Sequence, residues 1–209
     1  MKNLLASLLI LFSFAPTSFA FTTNAGCSHS FDDTVNHWAE AEICELSSIG
    51  LLEGYSERNF APNENMTRAE FVKIMVESQS YNVYAVQSAA FTDTDPSDWF
   101  YAVVSFAHSK GLVSGYNDNS FKPNNDISRA EAIELLVNAS GYSDADTTDL
   151  NHSFYDVDGD DWFAVALAIG LENDIVQGYG DDSFRPNNPI TRAEACVMLS
   201  RALDTILQD

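Results

Sequence analysis

The sequence predicts an all-α protein made of three helix-loop-helix repeats. Three observations carry this reading: a 17-residue stretch returns three times without a gap, apolar residues beside it recur at helical spacing, and strand-type alternation is not evident. The copies are GYSERNFAPNENMTRAE (54 to 70), GYNDNSFKPNNDISRAE (115 to 131) and GYGDDSFRPNNPITRAE (178 to 194), with G, Y, F, P, N, R, A and E identical in all three. Upstream, each copy carries F-x-D (Phe31 to Asp33, Phe91 to Asp93, Phe154 to Asp156) and then Trp38, Trp99 or Trp162. The repeats are placed at 28–90, 91–153 and 154–209, which leaves nothing over for a separate catalytic domain.

The first element in order is a leader at 1–20. Lys2, the apolar run from Leu4 to Ala15, Pro16 and the small-residue ending Ser18 to Ala20 give the order of a secretory signal, too short to span a bilayer comfortably, with cleavage expected after Ala20. No later segment reads as a membrane span, so the mature protein is expected to be exported and soluble. Ala25 to Cys27 resembles the end of a lipoprotein cleavage box, but Asn24 stands where that motif wants Leu; the other reading pairs Cys27 with Cys44 in an oxidising compartment. Cys196 lies on an apolar helical face and is expected to be a buried free thiol.

Within a repeat, the first helix follows the Trp: Trp99, Ala102, Val103, Phe106 and Ala107 share helical spacing, and Gly111 ends the helix with positive φ. Asp174 replaces the Gly50 and Gly111 of the other copies, so the corresponding turn of the third repeat is expected to differ. A loop opened by Gly-Tyr and stiffened by Pro62, Pro123 or Pro186 comes next. The second helix starts at the motif, where Thr67, Ser128 or Thr191 is the N-cap and Glu70, Glu131 or Glu194 reaches back. Such a capping box contributes ~1 kcal/mol per helix. Phe71, Val72, Ile74 and Met75 continue the second helix of the first repeat. Helices this short do not stand alone, so the repeats must bury their apolar faces against one another.

Charge narrows the function classes. Ten Lys and Arg stand against 31 Asp and Glu, a formal charge of −21, or −22 once Lys2 leaves with the leader. A body this acidic repels nucleic acid and anionic membranes. Of the nine basic residues then left, six lie in the repeated segments: Arg58, Arg68, Lys122, Arg129, Arg185 and Arg192. Capping does not require the Arg of T/S-R-A-E, and a cation in the first turn opposes the helix dipole. Two explanations stay open. Arg68, Arg129 and Arg192 are either solvent-facing forks for an anionic ligand, helped by free amides at the helix starts, or internal partners of acids such as Asp33, Asp93 and Asp156. On the first explanation, Arg129→Ala and Arg192→Ala leave helix content intact and weaken binding by ~1.5–3 kcal/mol.

The order F-x-D, Trp, helix, Gly-Tyr, Phe-x-Pro-Asn and T/S-R-A-E, three times over, resembles the S-layer homology domain family across nearly all of the mature chain. That resemblance implies a pseudo-threefold spindle whose grooves bind an anionic secondary cell-wall polysaccharide linked to peptidoglycan, often one bearing pyruvate ketals. It implies Arg68, Arg129 and Arg192 as contacts to the acid group, with Trp38, Trp99, Trp162, Gly54, Gly115 and Gly178 shaping the grooves. Lys122 and Arg185 join the ligand-binding set, while Ala61 stands in their place in the first copy, so the grooves are not expected to be equivalent and the first is expected to be weakest. The Trp rings suit sugar faces, although core anchoring accounts for them equally.

Other chemistry finds little footing. Asp156 to Asp161 suggests a calcium loop, but Asp161 and Leu167 occupy the positions where an EF-hand needs Gly and Glu. His29, His37, His108 and His152 lack zinc-ligand spacing, and neither a phosphate loop nor a nucleophile motif occurs. The expectation is a non-enzymatic wall-binding module without cofactor or metal; the alternatives are a small wall-active glycoside hydrolase using paired carboxylates, and an assembly partner for other envelope proteins.

Overall fold

A computed structural model describes residues 31–79, 81, 83, 91–142, 145, 147 and 150–205. The leader with its cleavage after Ala20, the box at Ala25 to Cys27, and the repeat limits at residues 28, 90 and 209 lie outside the described residues. Among the described residues, a 3₁₀ turn at Asp32–Thr34 precedes seven helices: α1 (Glu40–Ser48), α2 (Arg68–Ser78), α3 (Tyr101–Ser109), α4 (Arg129–Ser140), α5 (Leu150–Ser153), α6 (Ala164–Glu172) and α7 (Arg192–Thr205). Among the described residues only isolated β-bridges interrupt this all-α architecture.

The second helices α2, α4 and α7 begin where the capping boxes place them. Thr67 Oγ1 accepts from the Glu70 amide while Glu70 accepts from the Thr67 amide, and Ser128 with Glu131 and Thr191 with Glu194 repeat the exchange. The first helices α1, α3 and α6 have no side-chain cap and rely on packing. Gly50 and Gly111 end α1 and α3 at φ 75° and 73°, and Asp174 takes the same left-handed conformation at φ 56°. The third turn therefore does not differ as expected. Asp is among the side chains that tolerate this region, and the Asp174 carbonyl accepts a hydrogen bond from Arg201 Nη1 at 3.3 Å.

Packing runs across repeats rather than within them. Each first helix lies on the second helix of the preceding repeat, α3 on α2 and α6 on α4, and α1 closes the cycle on α7. The three second helices touch one another inside. At their entry the backbone closes a ring of three hydrogen bonds: the Met66 amide donates to Ile190 O (3.1 Å), Ile190 to Ile127 O (3.0 Å) and Ile127 to Met66 O (3.0 Å). These three side chains are fully buried, as are Phe60, Phe121 and Phe184 from the loops. Cys196 is also in this core, a buried free thiol as expected, and burial pushes that thiol up to about 12. Cys44 is disulfide-bonded, while Cys27 lies outside the described residues.

Each loop is held by the Asp of F-x-D. Asp33 accepts from the Phe60 and Ala61 amides, Asp93 from Phe121 and Lys122, and Asp156 from Phe184 and Arg185, all at 2.6–2.9 Å. Ala61, Lys122 and Arg185 have φ of 60°, 57° and 57°, a conformation non-glycine residues seldom adopt, and a carboxylate seizing two successive amides holds it in place. Gly54, Gly115 and Gly178 have a steric reason instead: a Cβ there would collide with the rings of Phe31, Phe91 and Phe154.

Candidate functional site: the three seams between repeats

The repeated Arg does not face solvent. Arg68, Arg129 and Arg192 are only 6%, 6% and 5% exposed, each buried in the seam between its own repeat and the next in the cycle. Arg68 lies between Tyr116 and Phe121 (5.2 and 5.0 Å to the ring centroids), Arg129 between Tyr179 and Phe184 (4.9 and 4.8 Å), and Arg192 between Tyr55 and Phe60 (4.7 and 4.4 Å). Each Nη2 donates to a carbonyl of the facing loop, Ser114, Gln177 or Glu53, at 2.9 Å. The Nε groups of Arg129 and Arg192 add bonds to Phe184 O and Phe60 O at 3.0 Å, whereas Arg68 Nε is buried without a partner. The expectation of three open guanidinium forks is thus corrected, and so is the rival pairing with Asp33, Asp93 and Asp156, which hold loop amides instead. An arginine in this position satisfies carbonyls that the loop turns inward, which is why a cation persists against the helix dipole.

The helix-start amides are likewise committed. The Arg68 and Ala69 amides donate to Asn125 O and Pro123 O, those of Arg129 and Ala130 to Asn188 O and Pro186 O, and those of Arg192 and Ala193 to Glu64 O and Pro62 O, all at 2.8–3.0 Å. With the third amide taken by the cap, the expected free donors for an anion are used in joining repeats.

Around the buried arginines, two seams carry a further layer. Glu131 receives the Tyr116 hydroxyl and lies 3.7 Å from Arg68 Nη1; Glu194 receives the Tyr179 hydroxyl at 3.0 Å and lies 3.5 Å from Arg129 Nη1. Burial, followed by the bond to Glu131, pushes Tyr116 up to about 12, and burial raises Tyr179 as well. Lys122 Nζ stands 3.9 Å over the Tyr116 ring, and the Arg185 guanidinium 4.0 Å over Tyr179. Arg185 also pairs with Asp181 at 2.9 Å; hydrogen bonds from Ser183 and from Arg185 bring that carboxyl down to about 2. Arg58, the other loop cation, turns away to Asp32 in an exposed pair. Sequence reasoning assigned no role to Tyr55, Tyr116 and Tyr179, although their identity in all three copies was the available signal.

Trp38, Trp99 and Trp162 face solvent, at 62%, 60% and 62% exposed, so the core-anchor explanation does not hold. Trp99 and Trp162 meet Phe100 and Phe163 edge-on at 5.3 and 5.4 Å, and Trp38 lies against His37. His37 Nε2 is 3.4 Å from Asn63 Oδ1, beside the Pro62 carbonyl that receives Ala193, so Trp38 flanks the loop that meets α7. The ring contacts of the three Trp are with these neighbours rather than with the arginines. Among the described residues no cluster of His, Cys, Asp and Glu has metal-binding geometry, and Asp156 spends its carboxylate on backbone amides.

A closed ring of helix-loop-helix repeats with arginine-filled seams and one displayed indole per repeat defines an all-α module whose distinctive groups sit between repeats and on the surface. The S-layer homology domain model matches residues 30–72, 90–133 and 153–196, more than half of the chain, and the chain belongs to this family. It is similar to cell surface glycoprotein 1 of Acetivibrio thermocellus (31% identical over 73% of this chain and 7% of that protein) and to the middle cell wall protein of Brevibacillus brevis (29% identical over 100% of this chain and 18% of that protein). It is also similar to an amylopullulanase of Thermoanaerobacterium thermosulfurigenes (27% identical over 84% of this chain and 10% of that enzyme). The chain spans less than a fifth of the length of each of these relatives.

Proposed function

We propose that this chain is a non-enzymatic module that holds a secreted protein at the cell envelope by binding wall polysaccharide, the anionic, pyruvate-bearing class being the ligand in view. One observation carries the reading: three tryptophans at equivalent positions of the repeats are displayed to solvent. A solvent-facing indole offers a flat apolar face that a sugar ring can cover, with a polar N–H at its edge. Three such platforms on one rigid ring allow a repeating polymer to engage several at once, and modest single contacts then sum to firm retention. Similarity both to surface proteins and to an enzyme, over 7%, 18% and 10% of their lengths, supports a holding role separate from catalysis. The half-buried cations beside two of the seams, Lys122 over Tyr116 and Arg185 over Tyr179, supply attraction for acid groups on the polymer.

The test is co-sedimentation with purified cell-wall sacculi, before and after chemical removal of the secondary polymer. Retention on intact sacculi, its loss on stripped ones and no release of reducing sugar are expected. Replacing Trp38, Trp99 and Trp162 together by Ala should lower retention at least tenfold, the scale of a few lost aromatic contacts, while leaving helix content unchanged. Full retention of that triple variant, or steady sugar release by the unaltered protein, would overturn the proposal.

A further inference from the structure

The repeats meet through three equivalent helix pairs, α3 on α2, α6 on α4 and α1 on α7. Seven residues after the Trp, the first helix places Phe106 in the second repeat and Ile169 in the third. Eight residues after the motif Arg, the second helix places Val76 in the first repeat and Val137 in the second. All four are buried apolar side chains. The closing pair breaks this rule on both helices. The same positions hold Glu45 on α1 and Ser200 on α7, and the Ser200 hydroxyl donates to Glu45 Oε2 at 3.1 Å. Glu42, one turn before Glu45, stands where the other first helices have the buried Val103 and Ala166. Ser47 of α1 also encloses an Oγ that has no hydrogen-bond partner among the described residues.

Glu45 is half-buried, and the charges that act on it are acids: Asp204 from α7 and Glu42 from α1 itself. No cation pairs with it among the described residues. Of the two arginines on α7, Arg192 donates to Phe60 O and Glu53 O, and Arg201 to Asp174 O. Cys196, the α7 group near Glu42, holds its proton because burial pushes the thiol up to about 12. An ionised Glu45 therefore loses water and meets two like charges, with one neutral hydroxyl in return. Burial raises its carboxyl above the usual 4.5, the Ser200 bond offsets part of that rise, and Asp204 and Glu42 add to it. The folded chain thus takes up a proton more readily than the unfolded one. That contribution to stability is fully present below pH 4.5 and is lost as pH rises through the folded value.

We infer that the α1–α7 contact is a pH-responsive latch: a proton on Glu45 tightens the closure of the ring, and its loss loosens that contact while the apolar pairs hold. The loosening is a local opening, short of global unfolding. It bears on the whole ring, because Arg192 fills its pocket in the first repeat only while the third repeat stays against it. The inference does not depend on the wall-binding reading.

Amide hydrogen exchange of the full chain tests it, with Glu45→Gln as a shape-matched side chain that cannot ionise. Variant and unaltered protein are compared at the same pH, so the intrinsic exchange rates cancel. At about pH 7.5 the amides of α1 and of the C-terminal half of α7 should exchange on the order of threefold more slowly in the variant, the scale of a partly exposed charge interaction. The difference should narrow at about pH 5, where the proton on Glu45 begins to hold the latch in the unaltered protein. Exchange in α3 and α6 should match between the two chains at either pH. Glu45→Ile, which copies Ile169, should behave in the same way, and it is the deciding chain if Gln destabilises the whole fold. Three results overturn the inference: α1 exchanging as fast as before or faster in the deciding variant, a difference that does not narrow in acid, or a slowing shared equally by α3 and α6.

Discussion

Arg129 shows how a residue can be singled out correctly and placed wrongly. Its rarity in an acidic chain marks it as purposeful, but its partners Gln177 and Phe184 lie 48 and 55 residues further on, in the next repeat. No local pattern reveals which loop will face it, so burial was not legible in the sequence. Removing the side chain strands the buried Phe184 carbonyl and the half-buried Gln177 carbonyl and leaves Glu194 without its cation. Arg129→Ala should therefore destabilise the fold by about 2–4 kcal/mol, in place of the selective loss of binding first expected. Denaturant unfolding checks this, and a loss below about 1 kcal/mol would show the seam to be less dependent on the guanidinium. Tyr116 gives a pH signature of the same seam. Burial in the folded chain pushes its phenol up to about 12, above the usual 10.0, so the folded chain keeps a proton that the unfolded chain gives up. Stability is then fully present below pH 10.0 and falls as pH rises toward about 12. Thermal melts across that window should show a steeper decline for the unaltered protein than for Tyr116→Phe.

At the scale of elements, the second helices were legible because their start signals are local: a cap and a glutamate three residues apart fix both ends of the exchange. The first helices were legible only by apolar spacing, and they prove to lack side-chain caps. The short α5 carried neither signal, and its place in the linker before the third repeat was not anticipated. The turn at Asp174 was misjudged because residue preference was weighed without the tertiary bond from Arg201 that supports it. Caps that also serve a seam should be more sensitive than ordinary ones. Ser128→Ala removes one local acceptor and should cost about 1 kcal/mol. Glu131→Ala removes the partner of the Ser128 amide, the Tyr116 hydroxyl and the Arg68 guanidinium together, and should cost at least twice as much. Paired unfolding curves of the two variants measure the difference, and equal losses would show that Glu131 acts as a cap alone.

For the whole molecule, closure is what separates this chain from an open stack of repeats. In a linear array each unit contacts only its neighbours, so an end repeat can be removed with a graded loss of stability. Here α1 packs on α7, Arg192 fills a pocket of the first repeat, and the Met66 amide depends on Ile190. Deleting the third repeat would at once expose the face of α1, leave the Glu53 and Phe60 carbonyls without Arg192, and strip Arg129 of every partner it has across the seam. Those losses fall on both remaining repeats, so neither retains a complete interface. A fragment ending at residue 153 should therefore be largely unfolded rather than two-thirds as stable. The full chain should unfold in one transition, with circular dichroism and tryptophan fluorescence coinciding. A folded fragment with a sharp transition of its own would mean that adjacent repeats suffice, and that the closing contacts between the third and first repeats add to a structure already formed.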